Sequence, residues 1–279
     1  MIRKRATGKG NNHPILFLLL SACSLMMFQG CGTLSNGRGW GQDATLSPGW
    51  DRIKKSAVDA AISPETWIPV AASIALKVDD IDERISDWAS DNNPIFGSQN
   101  NTGQWTEYIF SCSIASYFIT AMAAPSGEKP SDWSIAKAKG LAVGVSSWWI
   151  SSGIVFLLKR ISDRTRPDGS NNRSFPSDHA SASGAFTTLA RRNLESLSLS
   201  PGSRIFADIG IAGMAVGTAW ARVEAKKHYP SDVLVGYAIG HFFSAFINDA
   251  FLGMDKEEGP QLTMEPSRKG MMMGLSWAY

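Results

Sequence analysis

Two apolar runs, Tyr108–Ala124 and Leu141–Leu158, contain no charged side chain. Segments of that length and character form helices whose sides must be covered, by other helices or by lipid. Two further runs follow, Ile205–Ala221 and Val233–Phe251. Their glycines, Gly210, Gly213, Gly217, Gly236 and Gly240, would let neighbouring helices approach closely. Helical spacing also marks Asp51–Ala61, Glu65–Val78, Asp79–Ala89 and Ala180–Leu197. The chain is therefore predicted to be all-α, a single-domain helical bundle of six or more helices. Ser111, Ser113, Ser116, Ser147 and Ser151 dilute the first two runs, so a soluble bundle explains them as well as membrane spans do. Mean hydropathy is only −0.09, low for a polytopic membrane protein.

Smaller features complete this outline. In Asp79–Ala89 the residues Ile81, Ile85 and Trp88 share one face, and the acids read as a solvated face. Asp91–Gly103, full of Asn and Gly, reads as a loop. Cys112, inside an apolar run, reads as a buried small hydrophobe. Beyond Gly253 the pattern suits a short β-hairpin or an extended tail. The divisions expected are 1–30 signal peptide, 31–50 linker, 51–253 functional domain and 254–279 C-terminal tail.

The N-terminus reads as an address and an anchor. Arg3, Lys4, Arg5 and Lys9 precede the apolar run Pro14–Leu20, and small residues and cysteines follow. That is the layout of a secretory signal. A cysteine just after such a run resembles a bacterial lipoprotein signal, in which the new N-terminal Cys is lipidated. Cys31 ends the whole apolar stretch and precedes a polar tether, whereas Cys23 has the better preceding residues. Cys31 is preferred and Cys23 is the alternative; an ordinary cleaved signal or a single N-terminal span also export the body. The expectation is an exported, membrane-anchored protein of the cell envelope. Acidic and basic residues nearly balance, 25 against 27, so no nucleic-acid partner is expected.

The chemistry concentrates between Lys159 and Asp232. Phe175-Pro176-Ser177-Asp178-His179 and Tyr229-Pro230-Ser231-Asp232 each introduce a helical run. Pro suits the first helical position and Ser or Asp the first turn, so Ser177, His179 and Asp232 are placed at helix starts. Such ends favour a bound phosphate. Lys159, Arg166 and Arg222 would surround the same anion, the arginines with planar forks and the lysine with a point charge. Two imidazoles, His179 and His228, suffice for attack on phosphorus and protonation of the leaving oxygen. No metal-ligand cluster is needed, and no cofactor is expected. Taken singly, each residue is more often an ordinary cap or helix-end cation; jointly the pattern is demanding. His241 reads as a core or interface residue, and Glu224, Lys226 and Lys227 as a solvated loop.

Lys159 through Arg166-Pro167, then Pro176-Ser177-Asp178-His179, then Arg222 through His228 to Asp232 resemble the three signature motifs of the type 2 phosphatidic acid phosphatase (PAP2) superfamily. That superfamily includes lipid phosphate phosphatases, undecaprenyl-diphosphatases, soluble acid phosphatases and vanadium haloperoxidases. The resemblance implies that Lys159, Arg166, Ser177 and Arg222 bind phosphate. It further implies that His179 is the general acid, His228 the nucleophile that forms a phosphohistidine, and Asp232 its orienting partner. The implied activity is metal-independent hydrolysis of a phosphomonoester or diphosphate, with a phosphorylated lipid favoured and a small soluble phosphoester as the alternative substrate. A vanadium-dependent haloperoxidase or a non-catalytic envelope lipoprotein are the more distant alternatives. Two positions depart from the commonest pattern. Asp178 stands where Gly is usual, and its carboxylate is expected to turn away and cap the helix. Ala221 stands where Ser is usual and removes one phosphate hydrogen bond.

Overall fold

The computed structural model describes residues 32–34 and 36–253, together with the backbone of 261–267 and 270–276. The signal peptide, Cys23 and Cys31 lie outside the described residues. Eight α-helices occur among those residues: α1 Trp50–Ile62, α2 Pro64–Ala75, α3 Ile81–Asn92, α4 Gln99–Ala123, α5 Pro130–Ser162, α6 Asp178–Glu195, α7 Pro201–Glu224 and α8 Pro230–Phe251. A single 3-10 turn, Val78–Asp80, leads into α3. The tail forms an antiparallel hairpin, β1 Gln261–Ser267 with β2 Gly270–Ser276.

Helix α6 is the axis of the bundle. Ala, Ser, Thr and Gly dominate its first three turns, so neighbours can close on it from all sides, and 13 of its 18 residues are buried. It packs against α4, α5, α7 and α8. The contact with α8 is backbone against backbone. A Cβ at Gly236 would sit 2.5 Å from the Ser177 carbonyl oxygen, and one at Gly240 closer still to that of Ser181. Gly210 and Gly213, by contrast, face open space, and Gly217 meets only Ile109. Of these five glycines, only the α8 pair therefore serves close approach.

Helix α5 is built inside out relative to a water-soluble helix. Its inner stripe is mostly small or polar: Ala136, Lys137, Gly140, Gly144, Ser147, Ser151 and, at the end, Val155 and Lys159. Its outer side carries Trp149, Ile150, Phe156, Leu157 and Ile161, all exposed. Soluble helices bury their large apolar residues, while helices in lipid pack through small ones. Two helices, α5 and α8, are long and apolar enough to cross a membrane. Most of the α8 stretch is buried, whereas most of the α5 stretch is not. Helix α5 thus offers an outward apolar face of the kind that lipid covers.

Several expectations change. Asp91–Gly103 is not all loop, since α3 runs to Asn92 and α4 begins at Gln99, where Ser98 accepts a capping bond from the Asn101 N–H. Helix α3 buries Asp82, Ser86, Ala89 and Ser90 and leaves Trp88 exposed, the reverse of its apolar periodicity. A buried carboxylate fixed by three cationic or hydroxyl partners outweighs that pattern. Cys112 is exposed, on the outer side of α4. Within 32–50, Trp40 is part of the core and its indole N–H donates to Asn193 Oδ1 at 3.0 Å. One aromatic anchor thus pins a segment whose polar composition suggests only a tether.

Candidate active site

The three motifs meet at the N-terminal end of α6. Lys159 lies in the last turn of α5 and is 7% exposed, because the loop that follows folds back over it. Its ammonium donates to the Arg173 carbonyl at 2.8 Å and stands 3.3 Å from Asp178 Oδ2. The loop is closed by Gly169, at φ +68°, whose N–H donates to the Arg166 carbonyl. It is tied to the third motif by Asp168, which pairs with Lys227 at 2.5 Å.

Ser177 caps α6, its hydroxyl accepting from the Ala180 N–H, while its own N–H donates to the Asp232 carbonyl at 3.0 Å. The hydroxyl proton of Ser177 is left for a ligand. Because Ser177 caps the helix, Asp178 does not: its carboxylate turns toward Lys159 rather than away. That corrects the expected outward cap, and the physical reason is that a partly desolvated ammonium attracts the nearest carboxylate. The first-turn N–H groups of Asp178 and His179 have no intrahelical acceptor.

Arg222, in the last turn of α7, and Arg166 are the two arginines among the described residues that bury a polar atom without a partner. Both Nε atoms are buried without a hydrogen-bond partner. Burial first, and the nearby Arg166 second, push Arg222 down to about 10, against the pull of Glu107 and Asp178. The arginines at the other end of α6 are neutralised. At the opposite end of α6 a polar cavity of about 400 Å3 is lined by Arg191, Arg192 and His241. There Arg191 is paired with Glu65 and Asp208, and Arg192 with Asp249. His241 is 2% exposed and bonded to Thr188, the core residue expected. Unpaired donors that repel each other leave the motif end able to take up an anion.

The two histidines occupy different environments. His228 is 1% exposed. Its Nδ1 lies 2.7 Å from the Ser174 carbonyl, and Asp232 Oδ2 is 3.8 Å away. A carbonyl only accepts, so Nδ1 carries the proton and Nε2 keeps its lone pair. Asp232 is therefore an electrostatic neighbour of the ring, while Ser174 is its direct orienting acceptor. Burial, reinforced by Arg222 and Lys159 and opposed by Asp232, pushes His228 down to about 4. His179 is half-buried beside Phe110, with Nε2 3.2 Å from Glu107 Oε1. Burial and Arg222 lower it, and Glu107 opposes them.

Four residues escaped the sequence reading: Arg164, Ser174, Glu107 and Asp82. The arginine spacing to Arg166 gave a faint signal for the first; the others come from other segments and left none. Glu224 is not solvated: it is fully buried and accepts from the Ile95 and Phe96 N–H groups. It anchors the turn before α4. Among the described residues no group of three or more His, Cys, Asp or Glu side chains is arranged around a metal position.

Residues 139–252 match the PAP2 superfamily, and that span contains every motif residue named above. The chain is similar to that superfamily over this stretch, which is less than half of its length. Among solved structures it is similar to the first transmembrane PAP2 type phosphatidylglycerolphosphate phosphatase from Bacillus subtilis, at 18% identity and a TM-score of 0.46, over 71% of this chain and 94% of that one. At that distance, residue roles have to be argued from this chain's own geometry. No curated protein matches it in sequence.

Proposed function

We propose that the protein is a lipid-phosphate phosphatase working through a phosphohistidine at His228. The observation that carries this reading is the pair of half-buried arginines, Arg166 and Arg222, whose buried Nε donors lack partners beside an imidazole held neutral. A phosphate group supplies what they lack. It is held by Lys159, Arg166, Arg222, the Ser177 hydroxyl and the start of α6.

His228 Nε2 attacks phosphorus while the P–O bond to the leaving group breaks, and His179 gives that oxygen its proton. Water then loses a proton to His179 and attacks the phosphorus. The P–N bond breaks, and inorganic phosphate and free His228 result. The Ser174 carbonyl holds the Nδ1–H throughout. None of these steps calls on a metal ion.

A lipid substrate, of the phosphatidic acid or prenyl diphosphate type, is favoured because α5 delivers Lys159 at the end of an outward apolar face. The signal at 1–30 and lipidation at Cys31, or Cys23, would place the 51–253 domain on the outer side of the cytoplasmic membrane. The test is release of inorganic phosphate from lipid phosphates and from water-soluble esters, in excess EDTA. Turnover confined to soluble esters would reject the lipid substrate; dependence on added metal would reject the mechanism.

The acid–base pair also predicts a pH profile. Attack needs His228 neutral, available down to pH about 4. Protonation of the leaving group needs His179 charged, which fails as pH rises through a value below its ordinary 6.5. The kcat/KM profile should therefore peak in acid, and His179→Asn should remove its alkaline limb. A profile flat from pH 4 to 8 would contradict the assignment.

A further inference from the structure

Among the described residues the most heavily bonded carboxylate lies in α3, outside the span that matches the family. Asp82 is fully buried. Its Oδ1 accepts from the Ser231 N–H at 2.8 Å. Its Oδ2 accepts from Arg164 at 2.8 Å, from Lys77 at 2.7 Å and from the Ser231 hydroxyl. Arg164 spans the gap to the active site. Its other terminal nitrogen donates to Asp232 Oδ1 at 2.5 Å and to Ser231 Oγ at 2.9 Å, and its guanidinium lies 3.9 Å from the Tyr229 ring centre. Asp232 Oδ2 in turn accepts from the Ser174 hydroxyl at 2.5 Å and from the Tyr229 N–H at 2.9 Å. The Ser174 carbonyl receives His228 Nδ1. The Ser174 N–H donates to the Arg164 carbonyl at 2.9 Å, which closes the ring.

None of these groups except His228 has a nitrogen placed for attack, and the phosphate cations lie elsewhere. Yet together they hold the segment whose carbonyl fixes the ring of His228. A lone surface ion pair would carry little weight. Here one planar guanidinium joins two carboxylates that are each fully buried. A lysine brings the same charge but one nitrogen, and cannot reach both.

We propose that Asp82 and Arg164 are positioning residues for the nucleophile, so that α3 forms part of the catalytic apparatus. This rests on His228 being the nucleophile. Arg164 holds Asp232 and the Ser174 segment in place, and Asp82 holds Arg164. The phosphate pocket is built from other side chains, so substrate binding should survive loss of the network while turnover does not. Displacement of a reacting group by about 1 Å costs on the order of 10²-fold in rate.

The experiment compares the parent, His228→Ala, Arg164→Lys and Asp82→Asn in the full chain in detergent. Three quantities are read: kcat, inhibition by inorganic phosphate, and the thermal unfolding midpoint. Arg164→Lys is expected to lose about 10²-fold in kcat, and Asp82→Asn about 10-fold, with phosphate inhibition unchanged within about twofold. Arg164→Ala should regain activity with added guanidinium ion. Parent-like kcat in Arg164→Lys would overturn the inference. So would equal losses of kcat and phosphate binding, or unfolding of both variants, since either makes the network a fold element. A parent that releases no phosphate, or an active His228→Ala, would instead reject the phosphohistidine reading itself.

Discussion

His228→Ala is expected to lower turnover by about 10³-fold or more while leaving the bundle folded and able to bind phosphate. The ring is 1% exposed and held through one direct bond, Nδ1 to the Ser174 carbonyl. Losing that bond costs about 1 kcal/mol, and the missing ring leaves a cavity. The pH dependence of stability separates the catalytic role from this loss. The folded value near 4 lies below the ordinary 6.5, so the unfolded chain takes up a proton that the folded chain refuses. Stability contributed by neutral His228 is full above pH about 6.5 and is lost as pH falls toward 4, by about 3 kcal/mol in all. His228→Ala should lack that acid-dependent loss. Unfolding midpoints at pH 5 and pH 7, with phosphate release at both, measure the two effects together. Full activity in His228→Ala would remove the mechanism.

Arg222→Gln is expected to do two opposite things. kcat/KM should fall by about 10²- to 10³-fold, since a charge aimed at the developing phosphoryl charge is lost. The folded chain should become more stable without phosphate. Arg222 is depressed to about 10 by burial and by Arg166, so at neutral pH its charge opposes folding. Neutralising it relieves that repulsion and should raise the midpoint by a few degrees. Added phosphate should raise the midpoint of the parent, as any ligand of the folded state does, and leave Arg222→Gln nearly unmoved. A variant less stable than the parent, yet still protected by phosphate, would show that Arg222 is structural.

The parts of this site written in the sequence are those that depend on local rules. Ser177 caps α6, and Pro230 opens α8, because capping chemistry is short-range. Lys159 and Arg222 fall in last turns, where the ends of apolar runs place them. The supporting layer depends on approach between distant segments. Asp82 sits on the polar side of an amphipathic pattern, and only contact with Arg164 and Ser231 turns that side inward. Glu107 reaches His179 because α4 packs along α6. Asp178 was misjudged for a related reason: its helix position allows a cap, but Lys159 arrives from α5 and competes for it. The small inner stripe of α5 was visible as serines within an apolar run. Which side faced inward was decided by its neighbours.

Covalent trapping tests the central claim most directly. The parent is mixed with a phosphate-labelled lipid substrate, quenched in alkali within one turnover, and digested. Label should remain on the peptide that contains His228, resist alkali, and be released by acid, as a phosphoramidate requires. It should accumulate further in His179→Asn with a substrate whose leaving group needs no proton, and be absent from His228→Ala. Label on another residue, or turnover without any acid-labile phosphoenzyme, would contradict the account.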